Sequence, residues 1–258
     1  MNVLRFAVRL CVVLVWILLG LLCVSLLFPL APRLRQSVTR RWSGVLLALC
    51  GVAVRVAGEP VLDRPVLWVA NHVSWVDIFV LDSVRCVSFV SKSEVRRWPV
   101  IGWLVAGAGT VFLDRGRRHA IREVAGQMRQ RFGQGGAVGL FPEGTSSPGF
   151  DVGPFHASLF EPAIQAGADV QPVALRFMHR GRRSDYLSFV GDQTLAHNVW
   201  LLLGTTGARV EVEFLPVIAG ADCRSLGRAG VASRAHTVVR RAVVAGGMAA
   251  ATGRAESR

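Results

Sequence analysis

The chain passes from a predicted strand to a predicted helix through Asn71-His72-Val73-Ser74-Trp75-Val76-Asp77. Residues 66–70, just before it, are all apolar and predict a short buried strand, while the pattern from Ser74 onward predicts a helix. A histidine at such a turn can face a cleft, and the next helical turn brings Asp77 behind its ring. A carboxylate there fixes the imidazole tautomer and stabilises the imidazolium, as a general base requires. The spacing alone is equally typical of an ordinary hydrogen-bonded histidine near a helix start.

The N-terminal segment carries no charged residue from position 10 to position 32 and is rich in Leu, Val and Ile. A helix needs roughly 20 apolar residues to cross the hydrocarbon core, so the segment is long enough to span a bilayer. A cleaved signal peptide is the alternative, but its apolar region is usually about 7–15 residues long and ends at small residues. We therefore expect a retained membrane helix over residues 10–32.

The orientation of this helix is predicted from the charges that flank it. Two arginines precede it and four follow it: Arg5 and Arg9, then Arg33, Arg35, Arg40 and Arg41. Because the heavier basic side faces the cytoplasm, we expect an inner (cytoplasmic) membrane protein in which the chain after the helix faces the cytoplasm.

A second apolar run, residues 45–54, is too short to span a bilayer unaided. Three arrangements are compatible with it: packing against the first helix, lying beside that helix in one leaflet, or forming a buried helix of the soluble domain.

The charge balance favours a membrane surface as partner. The formal net charge is +13, and Lys92 is the only lysine among 30 basic residues. Basic residues gain about 1 kcal/mol each near a leaflet of anionic lipids. Nucleic acid is the rival explanation, but the sequence shows no zinc-finger, helix-turn-helix or RNA-binding signature, so no nucleic-acid partner is expected.

No metal or bound cofactor is expected. The five cysteines have no metal-type or redox-type spacing: Cys11, Cys23, Cys50, Cys86 and Cys223. The glycines at 133–139 precede a predicted strand, whereas a dinucleotide fingerprint follows a strand and opens a helix.

Beyond about residue 60, short apolar runs alternate with helical patterns, which predicts an α/β domain with a mixed, largely parallel sheet flanked by helices. The predicted strands are residues 65–70, 87–91, 110–113, 137–141, 170–176, 186–190 and 208–215. The predicted helices are residues 76–84, 100–106, 117–132 and 158–166. We divide the chain into an anchor at 1–58, a catalytic domain at 59–220, and a C-terminal helix with a disordered tail at 221–258.

Two polar loops follow predicted strands, where the chemistry of open α/β sheets collects. Asp114-Arg115-Gly116-Arg117-Arg118 offers guanidinium groups, which bind phosphate as planar forks. Pro142-Glu143-Gly144-Thr145-Ser146-Ser147 offers a carboxylate, a flexible glycine and hydroxyls suited to a polar headgroup. Each loop taken separately is also typical of an ordinary charged or turning surface.

Four blocks in order resemble the glycerolipid acyltransferase family, which includes the bacterial 1-acylglycerol-3-phosphate acyltransferases. They are residues 71–77, Phe112-Leu113-Asp114-Arg115, Phe141-Pro142-Glu143-Gly144-Thr145-Ser146 and Val170-Gln171-Pro172-Val173-Ala174. The resemblance implies the glycerol-3-phosphate acyltransferase-like fold, with His72 as base and Asp77 as its partner. It also implies that six residues contact the acceptor's polar head: Phe112, Arg115, Glu143, Gly144, Thr145 and Ser146.

The implied reaction moves a fatty acyl group from acyl-CoA or acyl-ACP, as co-substrate, to the free hydroxyl of a lysolipid acceptor. Relatives often carry Pro-Phe-Lys after the third block, where this chain has Pro154-Phe155-His156. We expect lysophosphatidate as the acceptor, with phosphatidic acid as product, and a lyso-ornithine lipid as the alternative. Two other classes stay open: a lipid hydrolase that uses Ser74 or Ser146 as nucleophile, and a noncatalytic membrane-binding protein.

Overall fold

The central strand of the fold is the apolar run that precedes His72. A computed structural model describes residues 2–97, 101–107, 109–113 and 120–252. Strand β2, Val66–Ala70, is buried along its whole length. Because its side chains point alternately to two covered faces, the strand is apolar at every position rather than at every second one.

The helices and strands alternate through most of the chain. The helices are α1 Val3–Leu22, α2 Phe28–Leu30, α3 Arg35–Cys50, α4 Val76–Asp82, α5 Ile101–Gly107, α6 Ala120–Gly133, α7 Glu161–Gln165, α8 Leu195–Gly204 and α9 Gly220–Thr252. The strands are β1 Val52–Gly58, β2, β3 Val87–Lys92, β4 Val111–Leu113, β5 Ala137–Leu140, β6 Asp169–His179, β7 Arg182–Arg183 and β8 Ala208–Phe214. A π-helical turn at Cys23–Leu27 joins α1 to α2, and 3-10 turns cover Pro32–Leu34, Ser93–Arg97 and Ala157–Phe160.

The strands form one sheet in the order β1-β8-β6-β2-β5-β3-β4, with β7 paired to β6. Within the path, all neighbours are parallel except β6 and β8. The mixed, largely parallel α/β sheet predicted from the sequence is therefore confirmed.

The two faces of β2 lie in two different cores. Val66, Trp68 and Ala70 point toward the core that includes residues of α1, α3, α4 and α8. Leu67 and Val69 point toward the core that α6, α7 and α9 cover. This two-sided burial holds the carboxyl end of β2, and the loop after it, in a fixed place.

The N-terminal helix and α3 form an antiparallel hairpin. The ring nitrogens of Trp16 and Trp42 each donate to the other residue's backbone carbonyl, at 3.1 and 3.2 Å. Val3–Leu30 is long and apolar enough to cross a membrane, and most of it is exposed in the structure. The predicted apolar helix is thus present.

Both ends of this long helical segment contact the rest of the protein. At its start, Arg9 donates to the carbonyls of Leu203 and Thr205, at 3.2 and 2.6 Å. Near its end, Val24 of the π-helical turn lies against Gly107 of α5. The helix therefore lies along the domain instead of projecting away from it.

The second apolar run, residues 45–54, is not one helix. Gly51 adopts a left-handed φ of +76° and its N–H donates to the carbonyls of Leu47 and Ala48, which ends α3. Val52 then begins β1, an edge strand paired with β8. The run packs against α1, which is the first of the three predicted arrangements, but it also supplies a strand to the sheet. The boundary at residue 58 stays a prediction.

The predicted strand at residues 186–190 is wrong. The N–H of Ser188 donates within a turn to Asp185, and that of Phe189 donates to the carbonyl of Val73 at 2.9 Å. The segment is apolar because Leu187 is buried under the loop, and not because the segment pairs with another strand of the sheet. Helix α8, which was not predicted from the sequence, follows this loop. Residues 253–258 of the predicted tail lie outside the described residues.

Candidate active site

The loops that follow β2 and β5 come together because these two strands are parallel neighbours. Val69 pairs with Leu140 in the last register position that the two strands share. Their carboxyl ends therefore lie at one edge of the sheet, so the loop after β2 meets the loop after β5. This topology places His72 beside Glu143.

His72 and Asp77 form the predicted pair. The ring Nδ1 of His72 lies 2.8 Å from Oδ2 of Asp77, whose side chain is 0% exposed. An ionised carboxylate only accepts hydrogen bonds, so Nδ1 carries the proton and Nε2 keeps its lone pair. The His72 side chain is 23% exposed, which leaves part of the ring accessible.

The Asp77 carboxylate is fixed by the backbone around it. Oδ2 also accepts the N–H groups of Val73 and Ser74, at 2.8 and 3.0 Å. The negative charge is therefore anchored at the first turn of α4, where the helix dipole favours it. Within the described part of the chain, Oδ1 is buried without a hydrogen-bond partner.

The imidazole ring packs on an aromatic stack. His72 lies on Phe141 with ring centroids 4.2 Å apart and an interplanar angle of 18°. Phe141 in turn stacks on Phe89 of β3, with centroids 5.6 Å apart. Neighbouring strands thus limit rotation of the ring about its side-chain bonds.

Glu143 holds two loops through its two carboxylate oxygens. Oε1 accepts the N–H of His72 and Oε2 accepts the N–H of Gly153, both at 2.8 Å. Burial raises the pKa of this carboxyl above its ordinary value, while the two backbone donors and His72 oppose that shift. The carboxylate thus holds the loop around His72 to the loop that contains Gly153. Its predicted contact with an acceptor stays a prediction.

Two further contacts fix the exit from β2. The side-chain amide of Asn71 donates to the carbonyl of Leu175 at 3.0 Å and accepts its N–H at 2.8 Å, which extends the β2–β6 pairing. The carbonyl of His72 accepts the N–H of Ser147 at 2.8 Å. Asn71 and Phe141 lie inside the quoted motifs, but the sequence predicted no role for either, and Ser147 was expected only to offer its hydroxyl to a headgroup.

The structure gathers most of the predicted acceptor residues near His72. Gly144 turns the loop with a φ of +72°, and the Thr145 side chain is exposed. The hydroxyl of Ser146 donates to the carbonyl of Phe189, so it ties this loop to the 184–189 loop. Their contact with an acceptor stays a prediction.

Phe112, another predicted acceptor residue, lies on a different strand. Phe112 is on β4, two strands beyond β5 in the sheet, with the Arg96 guanidinium 5.7 Å from its ring centroid. Arg115 lies outside the described residues.

A serine nucleophile has no support in this arrangement. Ser74 is buried, and its hydroxyl has no partner among the described residues. Ser146 donates to Phe189, and the Ser147 hydroxyl lies 3.3 Å from the carbonyl of His72. In the described ranges, no serine hydroxyl is bonded to the His72 ring, and no group of three or more His, Cys, Asp or Glu side chains is placed to hold a metal.

The chain is similar in sequence to known acyltransferases. The profile of the Acyltransferase family matches residues 53–176. The chain is 38% identical over 210 residues to the lyso-ornithine lipid O-acyltransferase of Pseudomonas aeruginosa, across 81% of this chain and 80% of that protein. It is 37% identical over 190 residues to the 1-acyl-sn-glycerol-3-phosphate acyltransferase of Neisseria meningitidis, across 72% and 73% of the two proteins.

The fold is similar to a solved structure over nearly its whole length. The crystal structure of the 1-acyl-sn-glycerophosphate (LPA) acyltransferase PlsC from Thermotoga maritima matches with a TM-score of 0.63 and 21% identity, over 93% of this chain and 96% of that one. With the sequence relatives, the shared fold and the His72–Asp77 geometry, the chain belongs to the Acyltransferase family and is an acyltransferase.

Proposed function

We propose that this protein is a membrane-bound O-acyltransferase that moves a fatty acyl group from a thioester donor to the free hydroxyl of a lysolipid. The observation that carries the proposal is the 2.8 Å contact between His72 Nδ1 and Asp77 Oδ2. It leaves Nε2 as a base on an accessible ring, and the described residues offer no competing nucleophile in contact with that ring.

The reaction proceeds without a covalent enzyme intermediate. The acceptor hydroxyl oxygen attacks the thioester carbonyl carbon while Nε2 of His72 takes its proton. The new C–O ester bond forms, the C–S bond breaks, and the leaving thiolate takes the proton back from the imidazolium. Asp77 accepts the Nδ1–H bond throughout and offsets the transient positive charge. No bound cofactor takes part, and acyl-CoA or acyl-ACP serves as co-substrate.

Lysophosphatidate is the acceptor we propose, with phosphatidic acid as product. A lyso-ornithine lipid is the second candidate. It is favoured by His156, which stands where relatives often carry a lysine, and by relatives of that name at 36–38% identity. A histidine near an acceptor's headgroup provides less positive charge at neutral pH than a lysine does.

One assay separates these acceptors and donors. Purified full-length protein in mixed micelles is offered lysophosphatidate or lyso-ornithine lipid, each with acyl-CoA and with acyl-ACP. We expect the diacylated product from lysophosphatidate with at least one donor. Product from lyso-ornithine lipid alone would reverse the acceptor assignment. Fatty acid released from a diacyl lipid without any donor would instead identify a hydrolase.

We also propose that the anchor lies in the inner membrane with the catalytic domain on the cytoplasmic side. Support comes from the apolar side chains that α1 exposes, such as Leu4, Val15 and Leu18, and from the flanking arginines. Fusion of a fluorescent protein or alkaline phosphatase after residue 258 tests the orientation. Fluorescence without phosphatase activity is expected, and the reverse pattern would contradict the proposal.

A further inference from the structure

A cavity lies between the start of α1 and the β6–β7 hairpin, away from His72 and Asp77. Its volume is about 340 Å³, within the range of small-ligand sites. It is lined by Asn2, Arg5, His179, Arg180, Tyr186 and the chain segment Gly204-Thr205-Thr206. Neither His72, Asp77 nor the loop after β5 contributes to its walls, so the cavity is separate from the catalytic pair.

The lining is basic and carries hydrogen-bond donors. Two arginines and a histidine face the cavity, and its described lining contains no Asp or Glu. The carbonyls of Leu203 and Thr205 at the end of α8 would repel an anion, but Arg9 donates to both. The negative end of the α8 dipole is thereby offset, and the guanidinium groups of Arg5 and Arg180 set the local charge.

One wall of the cavity is rigid. The rings of His179 and Tyr186 stack with centroids 4.4 Å apart and an interplanar angle of 8°. His179 Nε2 lies 3.0 Å from the Thr205 hydroxyl oxygen. Burial and the neighbouring charge of Arg180 lower the pKa of His179 from its ordinary value, so this wall adds hydrogen bonding rather than charge at neutral pH.

Arg180 occupies a backbone position that does not suit an arginine. It has a φ of +51°, the only positive φ of a non-glycine residue in the described ranges, and Gly181 after it has a φ of +82°. Two positive φ values between paired His179 and Arg182 form a type I′ hairpin turn, for which Asn-Gly is the favoured pair. A long side chain held at a strained position points to use of that side chain.

We propose that this cavity binds a phosphate group, held by the guanidinium groups of Arg5 and Arg180 with the Tyr186 and Thr206 hydroxyls as further donors. Planar guanidinium forks match phosphate oxygens. Asn2 and Arg5, at the start of the apolar helix α1, belong to the lining. The end of a helix that lies in a membrane is near the lipid headgroups, so an anionic phospholipid is the favoured source. A soluble phosphate is the other source of the same chemistry.

The test compares thermal unfolding of the purified full-length protein in neutral detergent with three additions: phosphatidylglycerol, phosphatidylcholine and inorganic phosphate. Phosphatidylglycerol is expected to raise the Tm by about 3–6 °C, and phosphatidylcholine to leave it unchanged. A rise with inorganic phosphate as well would assign the site to phosphate in general. No rise with either anion would overturn the proposal.

Two hairpin variants make the test specific. Arg180→Asn removes the guanidinium but suits the turn, so it should keep or raise the Tm without additions while it loses the rise with the anion. Arg182→Gln removes an arginine of the same hairpin that does not line the cavity, and it should keep the rise. An equal response of Arg180→Asn and wild type, or an equal loss in Arg182→Gln, would show general surface charge and contradict the site.

Discussion

His72 is fixed at its ring, its amide and its carbonyl by groups from different parts of the chain. Asp77 holds the ring nitrogen, Glu143 the N–H and Ser147 the carbonyl. A base must lie within hydrogen-bond reach of the hydroxyl proton it removes, so small displacements of the ring reduce the rate. In the proposed reaction, the residues that position His72 therefore matter for the rate as Asp77 does.

Glu143→Gln should lower kcat about 10-fold to 100-fold with little change in KM, because an amide cannot accept hydrogen bonds at both of its polar atoms. One of the two backbone contacts, to His72 or Gly153, would then be lost. Steady-state kinetics of the purified variant check this split. Glu59→Gln, at an exposed position, serves as the matched control and should match wild type. A raised KM for the lysolipid at unchanged kcat would instead make Glu143 an acceptor-binding residue.

Asp82 should make the protein less stable as the pH rises. The residue is 3% exposed, and burial raises its pKa to about 8, against opposing effects of the Val87 N–H and Arg35. Between about pH 4 and pH 8 the unfolded chain has lost this proton while the folded protein retains it. The free energy of unfolding contributed by Asp82 therefore falls as pH increases through that window.

Asp82→Asn should remove this pH dependence and raise stability at pH 8 by on the order of 2 kcal/mol, or about 6 °C in Tm. Thermal unfolding from pH 5 to 8.5 measures it, with Asp192→Asn at an exposed position as the control. Curves for Asp82→Asn and wild type that run parallel across the range would contradict a protonated Asp82.

At the scale of elements, the α1–α3 hairpin depends on close contact between one glycine and one tryptophan. A Cβ atom on Gly20 would lie 2.7 Å from the ring nitrogen of Trp42, the same nitrogen that donates to Trp16. Gly20 therefore allows the two helices to approach closely enough for the reciprocal tryptophan hydrogen bonds. The hairpin in turn fixes where the exposed apolar surface of α1 lies relative to α4.

Gly20→Ala should lower the Tm even though alanine favours a helix by about 1 kcal/mol over glycine. The methyl group would displace Trp42 and weaken the hairpin. Gly44→Ala, in α3, is the matched control because its Cβ would meet only Ser83, at 3.9 Å. That variant should be neutral or stabilising. If both alanine variants had the same Tm, the proposed close contact would not be limiting.

At the scale of the whole molecule, α1 is both an apolar surface and a structural part of the domain. Its start is bonded to the end of α8 and its continuation lies against α5. Removal of residues 3–30 would therefore expose parts of the core that contains Leu46, Leu47 and Leu203. A soluble, active truncated form is not expected.

The sequence predicted those parts of this architecture that depend on local pattern. The run at residues 66–70 and the helix after it were predictable because burial on both faces and helix periodicity leave a local signal. The order of the four blocks pointed to His72, Asp77 and the loop around Glu143.

The remaining features depend on contacts between distant residues. Residues 45–54 form one apolar run in the sequence, but Gly51 ends helix α3 within that run. Strand β1 was therefore not predicted. The segment at 186–190 is apolar because it is buried under a loop, not because it forms a strand. No sequence pattern predicts its hydrogen bond to the carbonyl of Val73. Glu143 lies 71 residues from His72 in the sequence. Its hydrogen bond to the His72 N–H forms only because the fold brings the two loops together. Such pairings follow from topology and not from local propensity.

The proposed mechanism requires that Nε2 of His72, held by Asp77, is the base for acyl transfer. The most direct measurement compares the rate of diacyl-lipid formation by purified His72→Ala, His197→Ala and wild type, after each variant shows a wild-type Tm. His197 is an exposed histidine of α8 and serves as the matched control. We predict a loss of about 10²- to 10⁴-fold for His72→Ala and full activity for His197→Ala. Wild-type activity in folded His72→Ala would show that His72 is not the base for acyl transfer.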